Sequence, residues 1–80
     1  MKKELLNLIE TADRLHAMSM DDSISEDAQD EAYAEYYATV ERIAAKLQSV
    51  TGGQIDDLAA KRMSHHKRNE IKALVSRLAS

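Results

Sequence analysis

Two adjacent glycines, Gly52 and Gly53, are the only glycines in this chain of 80 residues, and there is no proline. A chain rich in helix formers and free of proline has few places to end a helix, so the glycine pair and the short polar stretches set its punctuation. No alternation of β-branched residues suggests a strand. The sequence therefore predicts an all-α fold, a small helical bundle made of a long antiparallel helical hairpin plus one or two C-terminal helices, in a single domain over residues 1–80.

Four helical segments are expected, over about 2–19, 25–50, 56–63 and 64–79. In the first, Leu5, Leu8, Ile9, Ala12 and Leu15 recur at three- and four-residue steps and form one apolar face. His16 sits beside that face as boundary packing. The stretch Ser19–Ser25 breaks the pattern; Ser23 and Glu26 have capping-box spacing, with Ser25 as a competing cap. In the second segment Tyr33, Tyr37, Val40, Ala44 and Leu47 make a coiled-coil-like seam, widened by Tyr36, Ile43 and Val50. Gly52 then provides a left-handed C-terminal cap. Asp56 is the expected N-cap of the third helix. Ser64 is expected to cap the fourth, with the break at Met63-Ser64; one bent helix is the alternative. The expected core is Leu5, Leu8, Ile9, Leu15, Tyr37, Val40, Ile43, Leu47, Leu58, Ile71, Leu74, Val75 and Leu78.

That core is thin. A dozen of the apolar residues are Ala, Phe and Trp are absent, and Tyr33, Tyr36 and Tyr37 are the only aromatics. Chains this short gain little net stability from one core, and with no Cys there is no disulfide to help. Regular helix packing or self-association is left. A homodimer, or a tight complex with a protein partner, is expected along the second helix, because its stripe is broader than one short helix requires.

The lack of Cys also removes thiol nucleophiles and Cys-based zinc sites. His65 and His66 are adjacent, so on a helix they point about 100° apart and make no i,i+4 metal pair. They are read as solvated, with no metal and no cofactor. The acids fall largely in one solvated run, where nothing shifts a pKa toward catalysis. Gly52-Gly53 lacks the spacing of a phosphate loop. The chain is read as not an enzyme. Met1-Lys2-Lys3 opens like a signal peptide, but Glu4, Asn7 and Glu10 interrupt the apolar region, and no stretch is long enough to span a bilayer. A cytoplasmic protein is expected.

Net charge is −3, but its signs are segregated. Between Glu10 and Glu41 nearly all charges are acidic; from Arg42 onward most are basic. The plain reading is that the halves fold together and partly neutralise. The functional reading is an acidic protein-interaction surface of Asp21, Asp22, Glu26, Asp27, Asp30, Glu31 and Glu35, with the half-wet aromatics Tyr33, Tyr36 and Tyr37 beside it. The alternative is a small nucleic-acid-binding protein using Lys61, Arg62, His65, Lys67, Arg68 and Lys72, where a helix, a break and a second helix give a helix-turn-helix outline.

The acidic run Asp21-Asp22-Ser23-Ile24-Ser25-Glu26-Asp27-Ala28-Gln29-Asp30-Glu31, in a small helical chain without Cys, resembles small phage-encoded inhibitors, including some anti-CRISPR proteins. The resemblance covers overall character rather than a motif, so no site residue is carried over. It implies a non-enzymatic regulator that uses an acidic helical surface to block a basic nucleic-acid-binding site on a protein partner.

Overall fold

A computed structural model describes the backbone of residues 2–78 and the side chains of residues 3–77. The expected burial of Leu78 and the expected end at Ala79 lie outside the described residues. Four helices follow in order: α1 (Lys2–Ser19), α2 (Glu26–Val50), α3 (Asp57–His66) and α4 (Arg68–Leu78). No strand occurs among the described residues.

Each boundary has a local cause. Ser25 is the N-cap of α2, its Oγ accepting from the Ala28 N–H at 3.2 Å. Ser23 is drawn away instead, its N–H and hydroxyl both donating to Asp21 Oδ1 at 2.9 and 2.6 Å. The competing cap thus wins because the loop forms an Asx turn one step earlier. At the other end Gly52 and Gly53 have φ of 64° and 81°. Their N–H groups donate to Ser49 O and Gln48 O at 3.2 and 3.0 Å, the paired bonds of a Schellman cap. Asp56 caps α3 through Ala59 N–H at 2.7 Å, as expected.

The break before α4 lies at Lys67, three residues later than expected. Ser64 is no cap. It is fully buried inside α3, and its Oγ donates to Ala60 O at 2.7 Å. Ala60 and Ser64, four residues apart, form the inner face of α3, so the helix continues through the serine. The α3 carbonyls are then closed by the next helix: Arg68 Nη1 donates to His65 O at 3.0 Å and Ser64 O at 3.4 Å.

Helices α1 and α2 form the antiparallel hairpin. Glu4 meets Lys46 at one end and the His16 ring lies 5.3 Å from that of Tyr36 towards the other. Helix α3 packs on α2, and α4 returns to touch α3 and α1. The longest dimension is 41 Å, set by the 25 residues of α2 at about 1.5 Å each. The core joins Leu5, Ile9 and Ala12 of α1 to Tyr36, Val40, Ile43, Ala44 and Leu47 of α2, with Ala60, Ile71 and Val75 from the C-terminal pair.

Two expected core residues are outside it. Tyr37 is 45% exposed and Leu58 is 69% exposed. In α2 the inward row runs through Ala32, Tyr36, Val40, Ile43 and Leu47, which turns Tyr37 about 100° away. In α3, Leu58 is two residues from Ala60, so it sits on the opposite side. Leu8, Leu15 and Leu74 are half-buried at the edge of the core.

Candidate interaction surface

Tyr36 is the one aromatic that enters the core, and it gathers polar groups from all four helices. Arg68 Nη1 donates to its Oη at 3.0 Å, and Oη lies 3.3 Å from His65 Nδ1. Arg68 Nε also pairs with Asp13 of α1, and Lys72 adds a second cation 3.6 Å from the same carboxylate. The Arg68 side chain is only 18% exposed. Burial works against its charge, but hydrogen bonds to Tyr36 and Asp13 outweigh it and hold its pKa above the ordinary value. No fully buried side-chain nitrogen or oxygen among the described residues lacks a hydrogen-bond partner, and the bonds and ion pairs of this cluster tie α1, α2, α3 and α4 together. Neither Asp13 nor Arg68 carries any sequence signal of this pairing, since 55 residues separate them.

His65 is not the solvated histidine expected. It is half-buried, with its ring 5.6 Å from Tyr36 and 5.2 Å from Tyr37. Burial, then the charges of His66 and Arg68, push its imidazole below its ordinary range. The arrangement suits the neutral ring: the Tyr36 hydroxyl accepts from Arg68 and has its own proton to give to Nδ1. His66 is exposed. No group of three metal-ligating side chains comes together among the described residues.

The seven acids proposed for an interaction surface are all exposed, and none forms an ion pair with a described residue. The two halves of the chain do neutralise each other, but elsewhere, through Glu4–Lys46 and Asp13–Arg68. Helix geometry divides the acids on α2. Glu26, Asp30, Tyr33 and Tyr37, spaced four, three and four, form one stripe beside α3, where Tyr37 meets His65. Glu31 and Glu35 lie on the other side of α2, beside Leu15 and Met18 of α1. Asp27 lies between these rows. Asp21 and Asp22 extend the surface into the loop, where Gln29 Nε2 donates to Asp21 O at 2.6 Å. The bonds from Ser23 hold the Asp21 carboxyl below its usual range.

Tyr33 and Tyr37 form a pair on the stripe. Their rings are edge-to-face, 4.8 Å apart, and their hydroxyls lie 3.0 Å apart. Both are nearly half exposed, at 47% and 45%. Its hydrogen bond with Tyr37 raises the Tyr33 phenol above its ordinary pKa. Tyr36 is different, being structural.

The alternative basic segment is largely engaged. Arg68 and Lys72 hold Asp13, Lys61 pairs with Asp57 at 3.2 Å, and His65 lies against the tyrosines. Arg62 and Lys67 are left exposed. A single residue, Lys67, joins α3 to α4, shorter than the turn of three or four residues in a helix-turn-helix.

Comparison with protein-family models, curated protein sequences and solved structures finds no significant match to this chain.

Proposed function

We propose that the chain is a non-enzymatic interaction module, a small regulator whose acidic-aromatic stripe engages a basic surface on a protein partner. The observation that carries this reading is the stripe itself: Glu26 and Asp30, exposed and in no ion pair with a described residue, beside the exposed Tyr33–Tyr37 pair. Unpaired acids confer long-range attraction for cations, and tyrosines provide amphipathic contact area with little rotamer entropy to lose. A basic nucleic-acid-binding site on a protein has the complementary chemistry, and occupying it is the action of an inhibitor of phage type. The protein would act where such partners work, in the cytoplasm.

The test is affinity capture from the cell of origin with three immobilised chains: wild type, Glu26→Lys/Asp30→Lys, and Arg62→Glu/Lys67→Glu. A basic nucleic-acid-binding protein retained by the wild type and the third chain, lost by the second and released by added salt, is expected. A duplex DNA shift that disappears only in the Arg62→Glu/Lys67→Glu chain would instead establish the nucleic-acid reading.

A further inference from the structure

The side of the hairpin facing away from α3 carries a groove lined only by α1 and α2 among the described residues. Three cavities run along it and share walls. The first, about 240 Å³, lies between Leu15 and Met18 of α1 and Ala28, Glu31 and Glu35 of α2. The second, about 280 Å³, shares Leu15 and Glu35 and reaches Ala38 and Arg42. The third, about 560 Å³, shares Arg42 and continues past Leu8 to Glu4 and Lys46. From Glu4 to Met18 the groove is about 21 Å long at 1.5 Å per residue.

We propose that this groove is the interface of a homodimer, in which the α1–α2 hairpins of two copies pack face to face, antiparallel, into a four-helix arrangement. The order of charges selects a second copy over another occupant. Glu31 and Glu35 stand at one end, Arg42 and Lys46 at the other, at equal steps from the midpoint between Ala38 and Thr39. A two-fold axis through that midpoint brings Glu35 of each copy to Arg42 of the other and Glu31 to Lys46. A two-fold interface must be self-complementary in this way. Parallel packing would set acid against acid, and a uniformly basic helix would satisfy the glutamates while opposing Arg42. Lys46 is already held by Glu4 at 2.8 Å, so the Glu35–Arg42 pair carries the recognition. Ala38 at the centre lets the two α2 helices approach closely. Covering half-buried Leu8 and Leu15 and exposed Met18 adds to a core that is small for an independent domain.

The interface lies on the side of α2 away from the Tyr33–Tyr37 stripe, so the stripe stays open in the dimer and the two proposals fail independently. Sedimentation equilibrium of the full chain tests this one. A reversible monomer–dimer equilibrium is expected, weakened about tenfold or more by Glu35→Arg or Arg42→Glu alone and restored when the two are combined. Ala38→Arg should leave a monomer with unchanged helicity. A wild-type chain that stays monomeric at roughly 500 μM, where a specific interface of this kind would be populated, overturns the proposal. So does a dimer indifferent to Ala38→Arg, or single charge variants that the double variant does not rescue.

Discussion

At the scale of single residues, Tyr36 and its neighbour Tyr37 separate two roles. Tyr36 Oη links Arg68 to His65 in a half-buried site, whereas among the described residues the Tyr37 hydroxyl meets only that of Tyr33, at the exposed surface. Tyr36→Phe should therefore cost about 1 kcal/mol or more in urea unfolding, and Tyr37→Phe close to nothing. Equal costs would remove the distinction. His65 gives a second prediction. Its folded pKa lies below the unfolded value near 6.5, so the unfolded chain takes up the proton more readily. Its contribution to stability is then complete above that value and falls as the pH drops through the window beneath it. Protonated Nδ1 would also become a donor towards a hydroxyl that already accepts from Arg68. The melting temperature should fall as the pH drops below about 6.5, and His65→Gln should flatten that dependence. An unchanged slope in the variant would assign the effect to another group. This cluster is not legible in the sequence. Periodicity identifies faces, but nothing in the local sequence tells Asp13 that Arg68 will arrive beside it.

At the scale of elements, α1 and α2 follow from the sequence almost residue by residue. Their apolar spacing is regular over many turns, and the Gly52-Gly53 pair leaves one place for α2 to stop. Gly52→Ala should cost about 1 kcal/mol, because a Cβ at φ 64° is strained even though open space surrounds it. The α3–α4 boundary is less legible, since each helix is short and a serine followed by a polar run reads equally as cap or interior. Burial decided it: Ala60 and Ser64 pack inward together, and the hydroxyl turns back to Ala60 O. Ser64→Asp distinguishes the two readings. Aspartate is a strong N-cap, so at a true helix start it would be neutral or stabilising. At a fully buried site it should destabilise by about 3 kcal/mol or more, measured by chemical denaturation. At the α2 start, Ser25→Ala should cost about 1 kcal/mol. Loss of the cap to Ser23→Ala instead would contradict the observed bond from Ala28 N–H.

At the scale of the whole molecule, the charge segregation read from the sequence has two fates. Asp13 and Glu4 are neutralised by cations from the other half, which closes the bundle. The acids from Asp21 to Glu35 keep their charge in solvent, and on α2 the helix sorts them into two rows with the tyrosine pair in one of them. The sequence revealed that acids and aromatics would be close, but assigning Tyr36 inward and Tyr37 outward needed the phase of α2 against α1 and α3. Site-specific photo-crosslinking in the cell of origin tests the central claim most directly, with a photoreactive aromatic residue replacing Tyr33 in one chain and Arg62 in another. The account predicts that position 33 crosslinks to a basic protein, at a site rich in Lys and Arg, while position 62 does not. Crosslinks from position 62 to nucleic acid, with none to protein from position 33, would contradict it.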